Sequence, residues 1–227
     1  MRSVVFANDQ VYHVFNRGVE KRPTFIDKRE YSRAILAADY YRYANPPLRL
    51  SKVLQLNTEL ERRFFENVRK EGKLMVEILC YCLMPNHFHF LLRQLKERGI
   101  TRFMTRFTDS YAKYFNTKHK RNGPLFQGRF KAVRIEDDNQ LLHVSRYIHL
   151  NPVVSYVVSV DQLDAYPWSS MGEYLGLHKN QLSNKDLILG QFKDAKAYRS
   201  FVHDQIDYAK TLQAIEHLTI DNYDVST

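Results

Sequence analysis

The sequence predicts an α+β fold with a ferredoxin-like split β-α-β core, an antiparallel sheet, an inserted helix and a C-terminal helical appendage. Three observations carry this expectation. Four runs read as strands by β-branched content or alternation: VYHVFNR, KLMVEILCYCL, HFHFLLR and GRFKAVRIE. Two long amphipathic helical stretches fall between them, near residues 28–44 and 100–118. Taken in order, and with one charged insertion set aside, the elements run β-α-β-β-α-β, which is the split β-α-β pattern.

Each element has a local cause. Residues 11–17 form a strand that stops at Gly18. Asp27 is an N-cap residue type ahead of KREYSRAILAADYYRYA, and Asn45-Pro46-Pro47 halts that helix. The insertion spans about residues 45–72, and its charged amphipathic part, about 57–70, is helical. Residues 73–83 and 87–93 are strands joined by a turn at Pro85-Asn86. On the next helix Ile100, Phe103, Met104, Phe107, Tyr111 and Tyr114 make an apolar stripe, and Arg102, Arg106 and Lys113 fall on another face. A Gly-Pro turn ends that stretch. The strand at 128–136 follows, then a helix over about 139–150 capped by Asp137 or Asp138. Pro152 disfavours a helical backbone at Asn151, so this last helix is expected to end there. The chain divides into a domain over 1–166 and a mostly helical appendage over 167–227.

Composition narrows the setting. No run of about 18 apolar residues occurs, so a membrane span is not expected. Asn8, Asp9 and Gln10 interrupt the N-terminal apolar stretch, which does not fit a secretory segment. Cys80 and Cys82 are too close in sequence for a relaxed disulfide and lack the spacing of a redox or zinc pair, so a reducing, cytoplasmic setting fits. The net charge of +9 is unevenly placed. Residues 99–134 hold nine basic side chains against one acid, 9 − 1 = +8, whereas 185–227 hold five against seven, 5 − 7 = −2. A polyanion would meet the middle of the chain.

The run LMPNHFHFLL places two histidines at alternate positions of a strand. Alternation points His87 and His89 to one face and Phe88 and Phe90 to the other. Two imidazoles so placed can share one ion; a single histidine there would more often be structural. Such a clamp needs a third donor. Tyr147 and Asn151 lie four apart in LLHVSRYIHLNPV and share a helix face. A helix-end asparagine can offer its side-chain oxygen to a cation, and Tyr147 would then lie beside it. His13 could line the same place from the first strand, although a buried or edge histidine is its plainer reading.

The blocks MPNHFHFLL, YAKYFNTKHKRNGPLFQGRFKA, RYIHLNPV and YPWSSM, with YHVFNRG on the opening strand, together resemble the REP-associated tyrosine transposases. These are relatives of the single-tyrosine transposases of small insertion sequences, within the HUH endonuclease superfamily. The resemblance runs from about residue 11 to 175. It implies that Tyr147 is the catalytic nucleophile, that His87, His89 and Asn151 hold a divalent metal, Mg²⁺ or Mn²⁺, and that the partner is single-stranded DNA with an imperfect, REP-like hairpin. A homodimer is among the assemblies it implies. The His pair by itself would also suit zinc. Tyr111 and Tyr114 are rival tyrosines, although their apolar stripe reads as core. After Asn151-Pro152 the sequence VVSYVV departs from the family's habit, as do the insertion and the tail.

The DNA-binding set is Arg17, Arg102, Arg106, Lys113, Lys118, Lys120, Arg121, Arg129 and Lys131. Phe126 and Phe130 could stack on unpaired bases or serve the core. The expected activity is a metal-dependent single-stranded DNA endonuclease and strand transferase that forms a 5′-phosphotyrosine. Two other readings stay open at this point: a non-catalytic single-stranded nucleic-acid-binding module of the same fold, and a metal hydrolase that activates water.

Overall fold

A computed structural model describes residues 4–178 and 182–206 of the 227-residue chain. Residues 179–181 and 207–227 of the expected appendage lie outside the described residues. Four strands, β1 (Val11–Arg17), β2 (Val76–Met84), β3 (His87–Gln94) and β4 (Lys131–Arg134), form one antiparallel sheet in the order β2-β3-β1-β4. The helices are α1 (Lys28–Tyr41), α2 (Leu50–Val53), α3 (Thr58–Glu71), α4 (Gly99–Lys118), α5 (Asp138–Val154), α6 (Met171–Tyr174), α7 (Asp186–Leu189) and α8 (Ala195–His203). The chain is thus an α+β protein with the ferredoxin-like strand order the element sequence predicts.

Helices α1 and α4 cover one face of the sheet. There Phe88 and Phe90 of β3 meet Phe103 and Phe107 of α4 in a fully buried cluster, with the Phe88 and Phe107 rings perpendicular at 5.3 Å. Each such side chain contributes about 1.5–3 kcal/mol by burial. The opposite face is covered by α5 and the segment that follows it. Leu79, Cys80, Cys82 and Leu91 of the sheet pack there against Ile148, Met171, Tyr174, Tyr198 and Val202. Alternation along β3 therefore separates the phenylalanines from the histidines as the strand period requires.

The caps follow the sequence. Asp27 accepts the Glu30 N–H at 3.0 Å, and Asp137, rather than Asp138, accepts the Gln140 N–H at 2.7 Å. Asn57 caps the inserted helix by accepting from Leu60 N–H at 2.9 Å.

Four boundaries differ from expectation. Helix α1 ends at Tyr41, short of the Asn45-Pro46-Pro47 stop, as Arg42 and Ala44 turn to bond residues 73–75. Strand β2 starts at Val76 instead of residue 73, because Ala44 N–H donates to Lys73 O and Met75 N–H to Arg42 O, which ties residues 73–75 to the chain after α1. Strand β4 is only four residues long. The residues before it run instead beside the end of β1, where Gln127 N–H donates to Arg17 O. Helix α5 does not end at Asn151. It continues through Pro152 to Val154, because a proline in the last turn removes a single N–H, and buried Val153 and Val154 anchor that turn in the second core.

The described residues after 166, up to 206, pack onto the sheet. Leu83 N–H donates to Trp168 O at 2.8 Å and Ser170 N–H to Tyr81 O at 3.0 Å, so residues 168–170 pair along the outer edge of β2. This covers an edge that would otherwise expose unpaired backbone groups. Trp168 stacks on Tyr31, ring centroids 4.6 Å apart.

Candidate active site

The site forms where β1 and β3 lie side by side beneath α5. Antiparallel register pairs Phe15 with His89 and Arg17 with His87. Directly opposed residues share a face, so His13, Phe15, Arg17, His87 and His89 all point toward α5. Across the other side of β1, Lys131 of β4 opposes Phe15 and joins the same face.

Helix α5 brings two side chains to these imidazoles. Asn151, buried at 6% exposure, holds its Oδ1 3.4 Å from Nε2 of His87. One turn earlier, the Tyr147 ring stands edge-on to His89 and His13, with centroids 5.5 and 5.9 Å away, and is 50% exposed. The predicted quartet of Tyr147, His87, His89 and Asn151 thus meets within one chain.

The hydrogen bonds decide where lone pairs point. Asn86 Nδ2 donates to Lys21 O at 3.1 Å, which turns Asn86 Oδ1 toward Nδ1 of His87 at 2.6 Å. An amide oxygen only accepts, so Nδ1 of neutral His87 carries the proton and Nε2 carries a lone pair. Asn151 Nδ2 donates to the Tyr147 carbonyl at 3.4 Å, which turns its Oδ1 toward His87. Two acceptors therefore face each other across 3.4 Å. A cation shared by both would make that contact favourable. Nε2 of His89 is buried with no hydrogen-bond partner. Among the described residues no group of three His, Cys, Asp or Glu side chains gathers to hold a metal, so a third protein donor at this site would be the Asn151 amide. The donor set fits a divalent ion.

Burial keeps all three imidazoles neutral. It lowers His13 and His87 to about 4. For His87 the positive charge of Arg17 adds to the effect of burial, while the Asn151 contact opposes it. His89 is held well below the ordinary histidine range by burial first, then by His87, His13 and Arg17. Neutral imidazoles are the form in which histidine binds a metal.

The sequence underrated two participants. Nε2 of His13 lies 2.9 Å from Nδ1 of His89, so His13 belongs to the cluster and is not a bystander. The HVF alternation put it on a strand face, but only the register put that face beside His89. Asn86 was legible only as a turn residue.

The rival tyrosines lie on the other side of the sheet. Tyr111 is fully buried on α4 and donates its hydroxyl to Thr24 O at 2.5 Å, and burial raises its pKa. Tyr114 is half-buried on the same helix and packs against that core. Phe126 is a core residue, packed edge-on to Phe88 at 5.4 Å, which removes it as a base-stacking platform; Phe130 is half-buried beside Phe6.

The predicted basic set divides. Arg17 and Lys131 stand on the histidine face, with exposed Arg129 just before β4. Arg106 and Lys113 instead line a groove of about 910 Å³ between α1 and α4, with Arg33, Arg49, Tyr41 and Tyr114. Arg106 Nη1 and Arg33 Nε are buried there without partners. Lys118, at the groove's end, is paired with Asp27 and with fully buried Glu30. Arg102 donates to Asn45 at 2.6 Å and Arg121 to Asn116 at 2.7 Å. Lys120 is exposed in the turn after α4. The basic middle of the sequence therefore forms two separate surfaces, one on each side of the sheet.

Residues 51–151 match the family model described as transposase, IS200 like. That match covers 101 of the 227 residues. No curated protein matches it. A solved structure of a REP-associated tyrosine transposase bound to a REP hairpin has the same fold, with TM-score 0.50, 17% identity, and coverage of 81% of this chain and 93% of that one. A second structure, described as a candidate transposase from Deinococcus radiodurans, aligns at TM-score 0.34 and 12% identity over 65% of this chain and 95% of that one.

Proposed function

We propose that the chain is a metal-dependent single-stranded DNA endonuclease and strand transferase with Tyr147 as nucleophile, acting at hairpin-associated sites. One observation carries the reading: on a segment that matches a transposase family, His87 Nε2 and Asn151 Oδ1 present facing lone pairs beside the Tyr147 ring.

His87, His89 and Asn151 would hold one Mg²⁺ or Mn²⁺, and when bound it would supply Lewis-acid neutralisation of charge on the scissile phosphate. The remaining steps belong to the chain. A phenol has an ordinary pKa of about 10, so it is a weak nucleophile at neutral pH and needs an activated phosphorus. Tyr147 Oη bonds to phosphorus and gives up its proton, and the bond from phosphorus to the 3′ oxygen breaks. That oxygen takes up a proton and leaves as a free 3′-hydroxyl, with the 5′ end on Tyr147 as a phosphotyrosine. The ester energy is kept in the covalent link, so a second hydroxyl can rejoin the strand without ATP. Arg17, Arg129 and Lys131, on or beside the histidine face, would steer phosphates to the tyrosine. The hairpin bound by the structural relative is the reason to propose a hairpin-bearing partner here. Tyr147, His87, His89 and Asn151 stand together within one chain, which supports cleavage by a single protomer. Cys80 and Cys82 are free thiols, and no described helix is long and apolar enough to cross a membrane, which suits work in a reducing compartment with access to DNA. The described part of the appendage, residues 167–178 and 182–206, is proposed to serve the catalytic domain as support for the sheet.

The test is incubation with hairpin-bearing single-stranded DNA and Mn²⁺ or Mg²⁺, denaturing electrophoresis, and mass spectrometry of the attachment residue. A covalent adduct at Tyr147 is expected. Binding without any adduct would favour a non-catalytic binding module, and cleavage without an adduct would favour a water-activating hydrolase.

A further inference from the structure

We infer that His13 is a positioning residue: its Nε2 accepts the Nδ1–H of His89 and so keeps Nε2 of His89 free to face a divalent ion. The inference rests on the metal-site reading above and extends it to a residue outside the ligand set.

The contact itself is unambiguous in geometry. His13 Nε2 and His89 Nδ1 are 2.9 Å apart, and the rings lie 5.1 Å apart at 20°. The sheet register imposes this. His13 opposes Leu91, so it is the diagonal neighbour of His89 on the same face. Neutral imidazole has one donor and one acceptor nitrogen, so the contact admits two arrangements. If His13 donates, the single proton of His89 must sit on Nε2. That atom is buried with no partner, and an unpaired buried N–H costs about 1–3 kcal/mol. If His89 donates, its Nε2 carries a lone pair instead, and the orphaned atom becomes a donor atom for a cation. The second arrangement leaves His13 with its own proton on Nδ1.

His87 gives an independent parallel. Asn86 Oδ1, an acceptor, sits 2.6 Å from its Nδ1 and fixes the same tautomer. Each histidine of the pair thus meets an acceptor at Nδ1, one an amide oxygen and the other an imidazole nitrogen, and each is left with a bare Nε2. Partners of this kind orient metal-binding histidines and raise their basicity, and losing one typically costs about 10–100-fold in metal affinity. Phe15, whose ring is 4.9 Å from His13 and 5.8 Å from His89, packs against both and limits their rotation.

The test has two readouts on the full chain. Long-range ¹H–¹⁵N NMR of the metal-free protein, with labelled histidine, reports the tautomer: His89 is expected to carry its proton on Nδ1. Titration with Mn²⁺ alone, read by electron paramagnetic resonance, is expected to show about tenfold or greater weakening in His13→Phe. His13→Gln, whose amide oxygen can still accept, should stay within about threefold of wild type by the same reasoning. A His89 proton on Nε2 in the wild-type chain overturns the inference without any variant. So does a His13→Phe chain that binds Mn²⁺ as tightly as wild type. A wild-type chain that takes up no Mn²⁺ overturns the metal reading itself, and this inference falls with it.

Discussion

Asn151 Oδ1 and His87 Nε2 face each other at 3.4 Å, although 64 residues separate them in the chain. Neither atom is a donor when His87 is neutral with its proton on Nδ1. The pair is therefore a gap between two acceptors that a cation would close. Asn151→Ala should lower Mn²⁺ affinity by about tenfold or more, read by titration calorimetry without DNA. Asn151→Asp should bind Mn²⁺ at least as tightly as wild type, because it keeps the oxygen and adds a charge. Equal affinities for wild type and Asn151→Ala would remove Asn151 from the site.

Tyr147→Phe removes one oxygen from a half-exposed ring, so its cost in stability should be within about 0.5 kcal/mol. Its cost in chemistry should be total: no covalent adduct on a denaturing gel at any Mn²⁺ concentration, with DNA affinity by fluorescence anisotropy within about twofold. An adduct that persists and maps to another tyrosine would place the nucleophile elsewhere.

The two basic surfaces predict different phenotypes. Arg106 and Lys113 line the groove between α1 and α4, away from the histidine face. If DNA phosphates occupy that groove, Arg106→Gln with Lys113→Gln should weaken binding across sequences and reduce the slope of log affinity against log salt by about two. Adduct formation at saturating DNA should be unchanged. A wild-type salt slope in the double variant would show that DNA does not use the groove.

Buried neutral histidines make the fold sensitive to acid. His13 and His87 are lowered to about 4 and His149 to about 3, all by burial above all. The unfolded chain takes up these protons near 6.5, whereas the folded chain resists them. Stability should therefore be full above pH 6.5 and fall progressively as the pH drops toward 4. Urea unfolding at pH 7.5 and 5.0 checks this. His149 is the most tractable probe, since it sits away from the imidazole cluster, between the Tyr198 hydroxyl and Ser170 Oγ at 2.7 Å each. His149→Gln should lower stability at pH 7.5 yet flatten its decline with acid; an unaltered decline would show that His149 does not carry it.

The core predicts a stability effect without a local chemical one. Phe107 is fully buried and perpendicular to both Phe88 and Phe90 at 5.3 Å. Phe107→Ala should cost about 3–5 kcal/mol, measured by urea unfolding at neutral pH. A cost below about 1 kcal/mol would mean that this face is not packed as described.

Local sequence determined much of this protein. Period-two alternation in HFHFLL separated the histidines from the phenylalanines, the spacing of Tyr147 and Asn151 put both on one turn of a helix, and capping aspartates marked where α1 and α5 begin. Element order alone was enough for the sheet topology. These are short-range properties, written within a few residues of where they act. Tertiary structure decided what depends on register and on which surface meets which. The pairing of β1 with β3 brought His13 to His89, a contact that nothing in either segment announces. The packing of α1 and α4 on one face split a basic run that is continuous in sequence into two surfaces. The buried last turn of α5 carried the helix past Pro152, against the local preference for it to stop, because burial in the second core outweighs one missing backbone donor.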